Sequence, residues 1–133
     1  MVTEVEPGVV MPDPYQKGCP TRRILDRIGD RWTVLVVGVL AQGPHRFSEL
    51  GRRIEGVSQK MLTQTLREME RDGIVTRTVY AQVPPRVEYA LTEAGESLRQ
   101  PLKALEQWSI EHLGTVLSAQ ADFDATRGSA PAK

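Results

Sequence analysis

The stretch SQKMLTQTLREMERDG, residues 58–73, decides the fold. Ser58 is a suitable N-cap, and Gly73 closes the run. Apolar residues recur at helical spacing between them, at Leu62, Leu66 and Met69. The stretch therefore predicts an amphipathic helix over 59–72 that buries this stripe.

The outer face of this helix is polar and basic. It carries Gln59, Lys60, Thr63, Gln64, Arg67 and Arg71. Gln and Arg bond bidentately to adenine and guanine edges in the major groove, and Lys grips phosphates. Acids occur only near the helix end, from Glu68 onward. The acid-free first half predicts contact with DNA; the alternative is a solvated face that lacks acids by chance.

The residues before this helix predict three shorter helices, over 20–28, 32–41 and 48–54. Asp30 is a plausible cap for the second, although its four valines also permit a buried strand. Glu55-Gly56-Val57 joins the third helix to the fourth. The helix over 48–54 and the helix over 59–72 therefore form a helix-turn-helix pair.

The residues after Gly73 change from a period of about 3.6 to a period of 2, as β-strands do. Two alternating runs, 75–80 and 86–91, flank a tip that contains Pro84-Pro85, which predicts a hairpin. Thr92 then caps a long helix to about Ala119, which Pro101 should kink or break. The predicted fold class is α+β, mostly helical: a winged helix-turn-helix.

The two ends of the chain differ in composition from the middle. Residues 1–17 are acidic and rich in proline, and we expect a flexible arm; residues 120–133 are small and polar, and we expect a disordered tail. The predicted domain covers 18–119. No apolar run reaches the ~18 residues of a membrane span and no secretory signal is visible, so we expect a cytoplasmic protein without a membrane partner.

Charge and cysteine content exclude several function classes. The 133 residues contain 17 Lys and Arg against 17 Asp and Glu, so whole-chain charge gives no argument for nucleic acid. The one cysteine excludes an intrachain disulfide, and with only two histidines a zinc site is not expected. No catalytic triad, phosphate loop or carboxylate pair is recognisable. We therefore expect no enzyme, no metal and no cofactor.

Several motifs resemble, in register, the HxlR family of bacterial winged-helix transcriptional regulators. They are CP (19–20), IGDRWT (28–33), GPHRFSEL (43–50), SQKMLTQ (58–64), LREMERDG (66–73), VY (79–80), VPPRVEY (83–89) and LTEAG (91–95). The resemblance runs from about Cys19 to Trp108 and implies a homodimer, joined through its terminal helices, on a near-palindromic DNA operator. Asp30 stands where the family often has glycine, so no function is attached to it.

The candidate DNA-binding residues combine this resemblance with the outer face of the helix. They are Ser58, Gln59, Lys60, Thr63, Gln64, Arg67, Arg46 and Arg86. Arg86 follows the wing prolines and would contact a phosphate or the minor groove; the alternative is an exposed charge at a strand end. Arg46 precedes the first helix of the pair and would contact the DNA backbone, unless it is simply solvated.

The effector is left open between two candidates. Cys19 precedes Pro20 at a helix start near Arg22 and Arg23, where helix dipole and cations stabilise a thiolate. The family often carries a redox-sensing cysteine here, which implies response to an oxidant or electrophile; a purely structural cysteine is the alternative. A small molecule in a dimer-seam pocket lined by Trp32 and Trp108 is the other candidate effector.

The final helix supplies a separate argument for a homodimer. Its stripe of Leu98, Leu102, Leu105 and Leu113 is too apolar for an exposed helix on so small a domain. A second copy would cover it. The alternative function that does not involve DNA is a winged domain that contacts only proteins. Such a domain would not require an acid-free helix face.

Overall fold

The computed structural model describes residues 13–129. In this range the chain forms α1 (Pro20–Ile28), α2 (Arg31–Leu40), β1 (His45–Arg46), α3 (Phe47–Arg53), α4 (Gln59–Arg71), β2 (Val75–Tyr80), β3 (Arg86–Leu91), α5 (Glu93–Ser97), α6 (Arg99–Glu111) and α7 (Leu113–Ser129). The mostly helical α+β class and the winged helix-turn-helix order are confirmed. The chain divides into two compact units with a boundary between Glu96 and Ser97, which falls inside the range predicted as one domain.

The helix starts follow from the capping residues in the sequence. Asp30 accepts hydrogen bonds from the amides of Trp32 and Thr33, at 2.9 and 3.3 Å, and so caps α2. Ser58 Oγ accepts one from the Met61 amide at 3.0 Å and caps α4. Both caps satisfy amides that lack a partner within the helix. The first four helices begin and end within one residue of their predicted limits, and the alternative of a strand at α2 is wrong.

The core of the first unit lies between α2, α3, α4 and the sheet. Its fully buried side chains include Val36, Val37, Leu40, Leu50, Leu62, Leu66 and Met69. The inner stripe of α4 is thus confirmed, and it packs on α2 and β2. Since this stripe fixes the rotation of α4, the polar side chains of the helix must face outward.

The sheet has three antiparallel strands in the order β1-β3-β2. β2 and β3 form the predicted hairpin, with Val75 opposite Leu91. β1 adds a short edge that places His45 opposite Tyr89. This third strand was not predicted, because two residues are too short to show alternation.

The connection from the hairpin to α5 is made through backbone atoms. The Thr92 hydroxyl donates to the Gly73 and Ile74 carbonyls and accepts from the Gly95 amide, which confirms Thr92 as a cap. The Thr92 amide also donates to the Ile74 carbonyl at 3.0 Å. A Cβ at Gly95 would overlap the Ile74 carbonyl oxygen, so this position requires glycine.

The single C-terminal helix predicted to about Ala119 is instead three helices. The first interruption, at Leu98, follows from Pro101, which has no amide to bond the Ser97 carbonyl and sits in the first turn of α6. The second, at His112, was not predicted. It is a local bend, because hydrogen bonds from His112 to Trp108 and from Val116 to His112 span it.

The expectation of disorder from residue 120 is wrong for residues 120–129, which continue α7. Alanines at 119, 121 and 125 favour helix, and no proline interrupts the segment. The Arg127 guanidinium lies 5.2 Å from the centroid of the Phe123 ring one turn earlier, which adds a local contact. The remainder of the expected tail, 130–133, lies outside the described residues.

At the other end, the predicted arm is described only from Asp13 onward. Asp13 accepts hydrogen bonds from the Tyr15 amide on its side chain and from the Gln16 amide on its carbonyl. Residues 13–18 therefore form turns before α1, and the rest of the arm, 1–12, lies outside the described residues. No helix in 13–129 is both long and apolar enough to cross a membrane.

Candidate nucleic-acid interface

The outer face of α4 forms one open, shallow depression. It is lined by Gln59, Lys60, Thr63, Gln64, Arg67 and Glu68, which we call the α4 groove. Five of these six were predicted from the sequence, and Glu68 is the addition. They are brought together because α4 buries its opposite face against the core.

The groove is lined by two cationic side chains and one anionic side chain. Lys60 and Arg67 are exposed, and no acid precedes Glu68 in the helix. Besides the exposed Glu70, the far end carries Glu68 and Asp72, which both form ion pairs with Arg27 of α1. Their charge is therefore offset by a cation from another helix, and the cations in the groove stay available for an anionic partner.

Two of the predicted DNA-binding hydroxyls already have partners within the helix. Ser58 Oγ caps α4, as described above. Thr63 Oγ1 donates to the Gln59 carbonyl at 2.8 Å. Each oxygen keeps acceptor capacity, so a contact with DNA would have to add to these bonds. Residue type alone does not show whether Ser58 and Thr63 stabilise the helix or contact DNA.

Gln64 lies in the middle of the groove and is linked to a chain of polar contacts. Its Nε2 lies 3.4 Å from Glu68 Oε1, one helical turn away. Glu68 Oε2 in turn accepts from Arg27 Nη1, and Arg27 Nε donates to Asp72 Oδ2 at 2.9 Å. Sequence reasoning missed Arg27, since no local pattern connects residues 41 and 45 positions apart.

The structure places Arg86 beside the wing tip but packs its guanidinium on the hairpin. It lies 4.0 Å from the centroid of the Tyr80 ring, opposite it in the strand pairing. Its Nε is 3.6 Å from Glu88 Oε2. Arg86 is thus held by a cation–π contact and an ion pair, and it does not line the α4 groove.

Arg46 likewise lies outside the groove, at the start of α3. Its side chain is exposed, while its amide donates to Glu49 Oε1 at 2.7 Å. This hydrogen bond holds the pKa of the Glu49 carboxyl below its usual range, aided by the charges of His45, Arg46 and Arg52. Arg46 and Arg52 are both exposed on this segment, with the exposed Glu49 between them in sequence.

Cys19 is half-buried at the N-terminus of α1, directly before Pro20. Partial burial raises the pKa of the Cys19 thiol, but the amides of Arg22, Thr21 and Asp13 and the Thr21 hydroxyl lower it by more. The pKa therefore lies below its ordinary value, as the position at a helix start led us to expect. These amides favour the thiolate through their N–H dipoles, but none of them meets the geometry of a capping hydrogen bond to the thiol.

The two tryptophans proposed as pocket residues differ in their surroundings. Trp32 is half-buried on α2, next to the Arg31 guanidinium. Trp108 is 54% exposed and stacks on His112 at a centroid distance of 4.5 Å. The two residues belong to different units.

Comparisons with known proteins agree with this architecture. Residues 27–116 match the family described as HxlR-like helix-turn-helix. The HTH-type transcriptional regulator YtfH of Escherichia coli (strain K12) is 43% identical over 106 residues, which cover 80% of this chain and 84% of YtfH.

Solved structures extend the likeness to three dimensions. The structure of ytfH from Salmonella typhimurium has a TM-score of 0.78 at 40% identity, covering 84% of this chain and 99% of that one. The redox regulator HypR in its oxidised form has a TM-score of 0.65 at 43% identity, covering 70% of this chain and 96% of HypR. The family match spans both helices of the pair, the hairpin and α6. The chain belongs to the HxlR-like helix-turn-helix family of transcriptional regulators.

Proposed function

We propose that this chain is a sequence-specific DNA-binding regulator that inserts α4 into the major groove of an operator. The observation that carries the proposal is the α4 groove, in which amide and cationic side chains lie together while Glu68 and Asp72 are paired with Arg27. A helix of this kind fits the ~12 Å width of the major groove. Lys60 would contact phosphate, and Gln64 and Arg67 would contact base edges.

The experiment compares two arginines on the same helix. Arg67 lines the α4 groove, whereas Arg71, one turn later and also exposed, does not. We expect Arg67→Ala or Gln64→Ala to weaken specific binding by about 1–3 kcal/mol and to relax sequence choice. Arg71→Ala is the control and should leave base preference unchanged. Equal effects of Arg67→Ala and Arg71→Ala would exclude the groove as the reading surface.

Lys60→Ala tests the phosphate contact separately. It should weaken binding to all sequences alike and reduce the salt dependence of affinity by about one counterion. Anisotropy titrations of labelled duplexes at two salt concentrations measure both quantities. A change in base preference in this variant would assign Lys60 to base readout instead.

We further propose that the regulator acts as a homodimer on a near-palindromic operator. The support is the exposure of large apolar side chains in α6 and α7, among them Leu105, Trp108 and Leu113. Two copies related by a two-fold axis would present two α4 helices to half-sites about one helical turn, or a small multiple of it, apart. Footprinting of a selected operator gives this spacing directly.

Cys19 is the proposed sensing group of this regulator. Its lowered thiol pKa favours the nucleophilic thiolate, and the similar protein HypR is a redox regulator solved in oxidised and reduced forms. With a peroxide, the thiolate attacks one oxygen and the O–O bond breaks; the cysteine becomes a sulfenic acid and the other oxygen leaves as hydroxide or alkoxide.

Two measurements test the sensing role. The alkylation rate should rise with pH around a midpoint below the ordinary pKa of a cysteine thiol. Peroxide or quinone treatment should lower operator affinity in the parent but not in Cys19→Ser. A Cys19→Ser protein that loses binding as readily as the parent would make Cys19 a structural residue.

A further inference from the structure

Arg27 joins α1 to the end of α4 through a two-pronged ion pair. Its Nε donates to Asp72 Oδ2 at 2.9 Å, and its Nη1 donates to Glu68 Oε2. The arginine side chain is 26% exposed and each carboxylate side chain 35% exposed, so the contacts are partly shielded from water. A planar guanidinium with two partners has its orientation fixed more firmly than a single surface pair.

Glu68 passes this constraint on to the α4 groove. One of its carboxylate oxygens is held by Arg27, while the other lies 3.4 Å from Gln64 Nε2. Gln64 and Glu68 both line the groove. One N–H of the Gln64 amide is therefore directed along the helix toward Glu68, which leaves its carbonyl oxygen and second N–H to face a ligand.

We propose that Arg27 is a positioning residue for base recognition, acting through Glu68 on the orientation of Gln64 without touching DNA. This inference rests on the proposed function, because it assigns a role within the same groove. Arg27 has a second effect on that surface. By pairing Glu68, it keeps an otherwise free carboxylate from repelling the phosphates of an approaching duplex.

Loss of Arg27 has a consequence that distinguishes positioning from simple stabilisation. Without its partner, Glu68 is free to rotate, and Gln64 loses the contact that orders its amide. Base preference should then fall at the position read by Gln64 and stay intact at positions read by Arg67. A purely structural tether would instead weaken recognition evenly, since all of α4 would shift.

The test is a selection from a randomised double-stranded DNA library with the full chain, followed by affinity measurements on single base-pair variants of the selected duplex. Gln64→Ala identifies the base pair that depends on Gln64. Arg27→Gln should lower discrimination at that same base pair by about fivefold or more. In the double variant, Arg27→Gln should cause no further loss there, because its effect passes through Gln64.

Three variants serve as controls. Arg23→Gln, one turn earlier on α1 and exposed, should leave base preference unchanged. Asp72→Asn removes one of the two ion pairs of Arg27 but leaves the pair with Glu68. It should therefore lower the midpoint of thermal unfolding without changing preference at the Gln64 base pair. Arg27→Lys keeps the positive charge but lacks the planar guanidinium that bonds both carboxylates. Relative to Arg27→Gln, it should restore overall affinity more than discrimination between base pairs.

The outcomes separate this inference from the function on which it rests. A parent without any sequence preference overturns both. If the parent and Gln64→Ala behave as expected but Arg27→Gln keeps full discrimination, or loses it equally at every position, only the positioning role is overturned. Loss confined to the Gln64 base pair, in a variant that still unfolds cooperatively, supports it.

Discussion

The two units of the chain differ in how many of their large apolar residues they bury. In residues 13–96, α2, α3 and α4 form a core of almost fully buried side chains, although Leu35, Met61 and the α1 residues Ile24 and Leu25 are exposed. In residues 97–129, Leu102 is buried. Six other large apolar side chains are more than half exposed: Leu105, Trp108, Ile110, Leu113, Leu117 and Phe123. The first unit therefore contains a closed core, whereas most of the large apolar side chains of residues 97–129 are exposed.

This difference indicates where the proposed dimer would bury apolar surface. Burying apolar surface contributes roughly 25 cal/mol per Å², so an uncovered row of leucines and aromatic rings is a reservoir of free energy for binding. A second copy of the chain carries the same row and can cover it isologously. Under the proposed function, DNA reading and dimerisation would therefore fall to separate stretches of sequence.

The largest effect should come from a cavity in the first unit. Leu66 is 1% exposed and Leu105 is 62% exposed. Leu66→Ala should lower the free energy of unfolding by about 2–5 kcal/mol, because it removes buried methyl groups and leaves a void. Leu105→Ala should cost less than about 1 kcal/mol under conditions where the chain is monomeric. Urea unfolding at low concentration gives both values; equal losses would erase the contrast between the units.

The next effect should appear in association and not in folding. Leu113 is 54% exposed on α7, and Leu113→Glu would place a charge in the proposed seam. We expect the dimer dissociation constant to rise by at least about tenfold, with the unfolding midpoint of the monomer unchanged.

Ser118→Glu is the matched control for this change. Ser118 is exposed and lies about 140° around the same helix from Leu113. It should leave association unaffected. Sedimentation velocity at micromolar concentration measures both variants, and a parent that stays monomeric there would remove the basis for a dimer.

A smaller effect is expected at the helix caps of the first unit. Asp30 and Ser58 both accept amide hydrogen bonds at helix starts, whereas the Cys19 thiol forms none. Asp30→Ala and Ser58→Ala should each cost about 1 kcal/mol of stability, and Cys19→Ala close to zero. Thermal unfolding can rank the three. A loss in Cys19→Ala equal to the other two would indicate a structural cap at α1.

The smallest effect concerns the acid dependence of stability at Glu49. Because the folded state holds the pKa of this carboxyl below its usual range, the charged form stabilises the fold at pH values above the ordinary glutamate pKa. This contribution is lost as pH falls through the lowered folded pKa. Glu49→Gln should therefore be slightly less stable near neutral pH and should converge with the parent in acid. A stability difference between Glu49→Gln and the parent that stays the same at all pH values would contradict this role of Glu49.

Local sequence rules were sufficient for the elements that depend on neighbouring residues. Asp30, Ser58 and Thr92 mark helix starts through their own side-chain bonds, and the periods of α4 and the hairpin follow from which side is buried. β1 was not predicted because two residues are too few to show an alternating pattern. The bend at His112 was not predicted because no proline lies at that position.

The site was less accessible to sequence reasoning because its order depends on contacts between distant residues. The outer face of α4 could be predicted because its apolar inner stripe determines which side of the helix is buried. The pairing of Glu68 with Arg27 could not, since those residues lie 41 positions apart and meet only in the folded chain. Arg86 was expected from its place after two prolines, yet its packing on Tyr80 depends on the register of the hairpin.

The junction at Thr92 and Gly95 has a consequence for how such a chain can diversify. Its hydrogen-bonding partners are the main-chain groups of Gly73, Ile74 and Gly95, and only the Thr92 hydroxyl and the missing Gly95 side chain are specific to residue type. Recognition surfaces on α4 and on the wing can therefore accept new side chains without altering this junction. A descendant sequence can acquire a different target while it inherits the same exit from the hairpin into α5.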